Sequence, residues 1–221
     1  MAKNVCSYPL SVPLNGTQAA KIHIDNGDGN MFIDSLPGDE ALLADGELEY
    51  LEHRGTPLHT LSEMNGQTAL MLNGKGGQTR IRLPWQACNG ATNWRLHLSP
   101  AVDVDVTALS GGGNLELDLS EMRLTGLEAE TGGGNIDAFL PRAAGTVQIS
   151  LKSGAGNVNV RLPAGVEARV RATTGLGKVM MDPAFNQVDK FIYQTAGFEQ
   201  AASKLDIYAG SGAGNVVISA C

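Results

Sequence analysis

The stretch Ser110-Gly-Gly-Gly-Asn-Leu-Glu-Leu-Asp-Leu119 sets the rule by which this chain folds. A glycine-rich turn is followed by apolar residues at every second position, Leu115, Leu117 and Leu119, with Glu116 and Asp118 between them. Alternation of period two marks a strand with one buried face. The same turn recurs as Thr131–Asn135, Ser153–Asn157, Thr174–Lys178 and Ser211–Asn215, so five segments share the pattern [Ser/Thr]-Gly-x-Gly-[Asn/Lys]. Their first glycines stand at 111, 132, 154, 175 and 212, in steps of 21, 22, 21 and 37. A fixed period of this kind is the signature of a repeat architecture, and the last step reads as one period plus an insertion.

Alternation flanks every turn. Before the turns run Val104, Val106 and Ala108; Leu127 and Ala129; Val147, Ile149 and Leu151; Ala168, Val170 and Ala172; and Leu205, Ile207 and Ala209. After them run Ile136, Ala138 and Leu140; Val158, Val160 and Leu162; and Val216 with Ile218. Pro141 and Pro163, which lack an N–H, end two of these strands. One repeat is therefore strand, turn, strand and a looser return.

A single repeat cannot bury its own apolar face, but stacking on the next does so, in parallel register at the ~4.8 Å strand spacing. The predicted fold is all-β, a solenoid-like stack of ~21-residue repeats resembling a single-stranded β-helix. Leu115, Ile136, Val158, Val179 and Val216 share one offset from the turn and are expected to form one column. The turn glycines are Gly111 and Gly113, Gly132 and Gly134, Gly154 and Gly156, Gly175 and Gly177, and Gly212 and Gly214. They are expected to be structural, with positive φ and no room for a Cβ between stacked turns. Asn114, Asn135, Asn157 and Asn215 are expected to tolerate the left-handed region and to form a side-chain ladder.

The regular repeat occupies residues 101–221, with the insertion at about 183–204. This insertion holds Phe185, Phe191, Tyr193 and Phe198, and it is expected to fold back over an open end or edge, with a short helical turn within Gln194–Lys204. Residues 1–100 are β-like and less regular, continuous with the stack and capping it. Lys21–Ile24 leads into Gly27-Asp28-Gly29-Asn30 and then Met31–Ile33, the same strand–turn–strand grammar. Leu42–His53 reads as one or two strands around Asp45-Gly46, and Leu58–Leu61 with Thr68–Leu72 as a hairpin around Asn65-Gly66. Arg80–Pro84 and Trp94–Leu98 read as further strands.

Composition narrows function. The 221 residues are 43% apolar and only 5% aromatic, so the core rests on Val, Leu, Ile and Ala. A formal charge of −7, with no run of basic residues, excludes the concentrated positive charge that nucleic acid or an anionic membrane surface requires. No apolar run approaches the ~18 residues of a membrane helix, and Met1–Asn4 leads into no signal-like apolar segment. That places the chain either in the cytoplasm or behind an anchor removed from it. Cys6, Cys88 and Cys221 form no CxxC, and an odd count argues for unpaired thiols, a Cys6–Cys221 link being the alternative in an oxidising compartment.

Candidate chemistry is sparse. Gly111–Leu119 superficially matches a calcium-binding nonapeptide, but the period is wrong and Leu115 stands where the Asp is needed. Strands rather than helices follow the glycines, so no helix N-terminus is offered to phosphate. Glu116 and Asp137 fall on adjacent rungs and are weak metal candidates; Asp103 with Asp105, and Glu128 with Glu130, share faces. All are expected to lie on a solvated outer face, with Lys152 pairing across strands to Glu130. His23, His53, His59 and His97 lack metal spacing. No catalytic residue, cofactor or metal is assigned.

Trp94-Arg-Leu-His-Leu-Ser-Pro100, the Ser/Thr-Gly-x-Gly-Asn turns, Arg161-Leu-Pro163 and the closing Lys204–Val216 together resemble the bacterial toast-rack domains. Leu48-Glu-Tyr50 resembles a segment of their N-terminal part. The group includes the putative-adhesin domains and the C-terminal domain of LiaF-like cell-wall-active antibiotic response proteins. The resemblance covers about residues 20–219 and implies the stacked β fold. It further implies a non-enzymatic structural or interaction module of the bacterial envelope, adhesin-like or associated with envelope stress, outside the cytoplasm and working through a protein partner or self-association. The alternatives are a carbohydrate-binding or carbohydrate-active β-solenoid, and a cytoplasmic scaffold that assembles end to end.

Overall fold

The computed structural model describes residues 4–37, 41–74 and 92–221. The strand expected at Arg80–Pro84, and Cys88, lie outside the described residues. The N-terminal strands are β1 (Val5–Pro13), β2 (Ala19–Asp25), β3 (Asn30–Ser35), β4 (Leu42–Leu51), β5 (Leu58–Met64), β6 (Gln67–Asn73) and β7 (Asn93–Leu98). The repeat supplies β8 (Asp103–Ser110), β9 (Leu115–Asp118), β10 (Arg123–Thr131), β11 (Ile136–Phe139), β12 (Thr146–Ser153), β13 (Val158–Leu162), β14 (Ala168–Thr174) and β15 (Val179–Met181). Then come β16 (Asn186–Asp189), β17 (Ile192–Gln194), β18 (Lys204–Ser211) and β19 (Val216–Ala220).

Each rung gives its first strand to one sheet and its second to another. The nine-stranded sheet runs β1-β4-β7-β3-β9-β11-β13-β19-β15, and the ten-stranded sheet runs β16-β17-β14-β18-β12-β10-β8-β2-β6-β5. Their inward residues make one hydrophobic cluster. From Leu115 the expected column runs through Ile136, Val158, Val216 and Val179, and it continues the other way through Met31 to Trp94. The rungs beside β8 and β9 come from the N-terminal half: β2 pairs with β8 and β3 with β9, both parallel.

The order of rungs in space differs from their order in the chain. The last repeat, β18 and β19, lies between the rung of β12 and β13 and the rung of β14 and β15. The rung carrying Gly175 and Gly177 is therefore the end of the stack. The inserted segment makes the antiparallel hairpin of β16 and β17 on the exposed edge of β14. Within Gln194–Lys204 the chain forms one isolated turn, in which the Ala201 N–H donates to Gly197 O (3.0 Å). At the other end β1, β4 and β5 close the stack in antiparallel fashion.

The turn glycines owe their place to crowding alone. None of the Gly-x-Gly pairs from Gly111 to Gly214 has positive φ, contrary to expectation. A Cβ on Gly134 would lie 2.0 Å from Gly113 O, and one on Gly156 would lie 2.0 Å from Gly134 O. Adjacent rungs put the carbonyl of one turn where the side chain of the next would stand. The middle residue is free of this constraint: the nearest atom to a Cβ on Gly133 is 3.9 Å away. Asn65 (φ 52°) and Gly66 (φ 76°) do adopt left-handed geometry, in the two-residue turn joining β5 to β6. Gly46 turns no hairpin. It sits inside β4, where a Cβ would meet Arg95 O at 2.2 Å, so its lack of a side chain serves close strand approach.

The turn asparagines are not left-handed either, because their side chains point along the stack. The Oδ1 of Asn30 accepts from the N–H of Asn114 (3.0 Å), Asn114 from Asn135 (2.9 Å), Asn135 from Asn157 (2.8 Å), Asn157 from Asn215 (2.8 Å) and Asn215 from Lys178 (3.0 Å). Hydroxyls form a second ladder. The Oγ of Ser153 donates to Gly134 O of the preceding rung (2.7 Å) and accepts from Gly156 N–H of its own (2.8 Å). Ser110, Thr131, Ser211 and Thr174 repeat both bonds.

Cys6 lies in β1 and Cys221 just beyond β19, seven strand steps apart in the nine-stranded sheet. That is roughly 34 Å at the usual strand spacing, far beyond the ~7 Å limit for bridged Cα atoms, and both thiols are free.

Gly134→Val is expected to lower stability by several kcal/mol, whereas Gly133→Ala changes it by less than about 0.5 kcal/mol. Urea melts of both variants check this, and equal effects would refute crowding as the cause. Asn157→Ala, which strips a ladder acceptor from Asn215 N–H, is expected to cost about 1–2 kcal/mol. Lys178→Ala at the end of the ladder is expected to be neutral in the same melt.

Candidate functional site

The outward faces of the two sheets carry the charged residues that the sequence puts forward. On the ten-stranded sheet they meet bases of the neighbouring strand. Asp103 pairs with Arg123 (2.8 Å), Asp105 with Lys21 (3.7 Å) and Asp206 with Arg169 (2.6 Å). Lys152 reaches both Glu130 (2.5 Å) and Glu128 (3.8 Å). Donation to Glu130 raises the Lys152 pKa above its ordinary value, and donation to Asp206 raises that of Arg169. These are cross-strand pairs, the sheet counterpart of surface ion pairs along a helix.

On the nine-stranded sheet Glu116 and Asp137 are direct strand neighbours. The next rung supplies Asn159, whose Nδ2 donates to Asp137 Oδ1 (2.8 Å). The row therefore ends in an amide donor instead of a third carboxylate. Beside it the guanidinium of Arg161 lies over the Phe139 ring at 4.5 Å, and that of Arg95 over Phe32 at 5.3 Å. Asp34 meets His97 across β3 and β7. The other histidines stand apart, His23 in β2, His59 in β5 and His53 in a short 3-10 turn. Among the described residues no group of three or more His, Cys, Asp or Glu is placed to hold a metal ion.

A shallow groove follows the turns on the side of the ten-stranded sheet, lined by Asp25, Asp28, Ser110, Glu130, Lys152 and Ser153. Its polar groups are committed to the fold. Ser110 and Ser153 belong to the hydroxyl ladder, Asp25 accepts from Gly27 N–H (3.0 Å), Asp28 pairs with Arg54 (3.3 Å) and Glu130 with Lys152. A buried polar atom lacking a hydrogen-bond partner stands nearby, Asn26 Oδ1. Asn26 fills the Ser/Thr place of the rung formed by β2 and β3, and its Nδ2 donates to Gly29 O (2.7 Å).

Sequence reasoning placed Lys178 in the turn motif without marking it as the end of the ladder, and it missed Tyr208. Lys178 replaces the ladder asparagine in the terminal rung, a departure visible in the motif itself. Tyr208 lies over Gly210, where a Cβ would meet its hydroxyl at 2.9 Å, and its hydroxyl bonds Thr173 Oγ1 (3.2 Å).

Fold and surface thus define an all-β protein of stacked two-strand rungs, with structural turns and broad charge-paired faces. The family described as the N-terminal domain of toast_rack, DUF2154, matches residues 1–182, and the chain belongs to it. Among solved structures the chain is similar to a "putative cell adhesion protein" from Clostridium sporogenes ATCC 15579. That likeness has 20% identity and a TM-score of 0.87, over 99% of this chain and 100% of the other. A "putative adhesin" from Bacteroides fragilis NCTC 9343 aligns with a TM-score of 0.40 at 12% identity, over 100% of this chain and 98% of that one. No curated protein matches. Among the described residues no helix is long and apolar enough to cross a membrane.

Calcium is expected to leave the melting temperature unchanged relative to chelator, in the parent chain and in Glu116→Gln alike. A calcium-dependent rise that vanishes in Glu116→Gln would show Glu116 and Asp137 sharing a cation.

Proposed function

We propose that the chain is a non-enzymatic structural and interaction module of the bacterial cell envelope, working through its sheet faces and edges. The observation that carries this reading is how the acids are disposed. Asp103, Asp105 and Asp206 each pair with a base on the adjacent rung, and Glu128 and Glu130 share Lys152. Glycoside cleavage needs two carboxylates converging on one bond, with one held protonated, and paired ladder acids on a flat face do neither. Family membership supports a structural role, and the name of the C. sporogenes protein supports adhesion as its form. An envelope-stress role and an extracytoplasmic location rest on the resemblance seen in the sequence.

The test is binding set against turnover. The labelled chain is expected to co-sediment with bacterial envelope fragments, to lose that binding when the fragments are treated with protease beforehand, and to release no reducing ends from envelope polysaccharides. Polysaccharide cleavage that disappears in Glu116→Gln would replace this reading with a carbohydrate-active one.

A further inference from the structure

Among the described residues the two sheets have four outer edges, and three of them carry devices that block strand addition. β1 contains Pro9 and Pro13 and a register shift between Val12 and Pro13. β15 is three residues long and follows Lys178. β16 has four residues, a register shift between Gln187 and Asp189, and Lys190 just beyond it. The fourth edge, β5, carries none of these within the strand, and only Pro57 stands just before it. It runs seven residues, Leu58-His-Thr-Leu-Ser-Glu-Met64, in unbroken register with β6. It contains no Lys, Arg or Pro. All seven residues are exposed, among them Leu58 at 56%, Leu61 at 40% and Met64 at 71%. The neighbouring sheet ends alongside in β1, whose Tyr8 hydroxyl meets His59 Nδ1 (3.2 Å), yet among the described residues no strand pairs with the outer edge of β5.

The sequence of this edge matches itself in reverse. Laid antiparallel on a second copy about Leu61, it sets Leu61 against Leu61, Thr60 against Ser62, His59 against Glu63 and Leu58 against Met64. Every pair is apolar with apolar, hydroxyl with hydroxyl or base with acid; the pairs at 61 and 59/63 fall on the side of Leu70 and Leu72, and those at 60/62 and 58/64 on the outer side. Met71, 53% exposed on β6 beside Thr60, lies on the outer side with Leu58 and Met64 and adds to the apolar surface there. An isologous contact repeats each favourable pair by symmetry.

We propose that the partner of β5 is β5 of a second copy of this chain, joining two ten-stranded sheets into one continuous sheet across a two-fold axis at Leu61. This rests on the reading of the chain as an interaction module and names one of its partners. One strand pair is a small interface, so association is expected in the micromolar range.

Sedimentation and light scattering from low to high micromolar concentration test it. The parent chain is expected to pass from monomer to dimer. Leu61→Lys, which opposes two ammonium groups on the axis, is expected to stay monomeric with an unchanged melting temperature. In a background with Cys6, Cys88 and Cys221 changed to Ser, Leu61→Cys is expected to form a covalent dimer at least about tenfold faster than Leu58→Cys. The reason is that only a residue on the axis meets its own copy within disulfide reach. A parent chain that stays monomeric, a Leu61→Lys variant that still dimerises, or equal cross-linking at both positions would overturn the pairing. The envelope-binding experiment would stand unaffected, so failure of the dimer and failure of the module reading are distinguishable.

Discussion

The separation of adjacent rungs, about 4.8 Å, is the constraint from which the rest of this structure follows. At that distance the carbonyl of one turn occupies the place where a side chain on the next would begin. Each rung must therefore carry glycine twice, with a free position between. The same closeness lets one Asn side chain reach the next rung's N–H and one hydroxyl bond both its own turn and the one before. Turns that would otherwise leave polar backbone groups facing one another are satisfied by side chains of the repeat motif itself. Crowding and ladder are one device: the glycines permit the approach, and the Ser/Thr and Asn hold it.

Most of this fold was legible in the sequence because its cause is local. Strict alternation at Leu115, Leu117 and Leu119 marks a strand wherever it stands, and five copies of the turn fix the period. The Asn65-Gly66 hairpin was equally plain, since that pair suits a turn with positive φ at both positions. Gly46 misled for the opposite reason. Asp-Gly is a turn signal, but strands on both sides of β4 hold it straight, a tertiary effect that no local pattern announces. The φ of the turn glycines was misjudged because glycine serves two ends, conformational freedom and absence of bulk, and only neighbouring rungs show which applies.

The order of rungs was written in the motif as well, in the residue that breaks it. Asn is kept wherever a further rung must be held and is replaced by Lys178 where the ladder ends. Asn215 therefore has a rung beyond it, and Thr174–Lys178 does not. A lysine at the last edge also resists further strand addition, which sets this end of the stack apart from a scaffold that polymerises end to end. The functional surface was less legible. Lys152 against Glu130 was legible from their matching places on adjacent rungs, whereas Asp105 against Lys21 joins β8 to β2, strands far apart in the chain, and becomes clear only in the folded protein. On the ten-stranded sheet the acids then resolve into cross-strand pairs, and interest passes from the faces to the edges.

The placement of the last repeat is the sharpest consequence of the ladder, and cross-linking reads it directly. Asn159, Val217 and Met180 face outward in register on β13, β19 and β15. With the native cysteines changed to serine, the double variants Asn159→Cys/Val217→Cys and Val217→Cys/Met180→Cys should each close a disulfide within one chain. Asn159→Cys/Met180→Cys, two strands apart, should not. Efficient cross-linking of 159 to 180, with 159 to 217 left open, would place the rungs in chain order and contradict the stacking described.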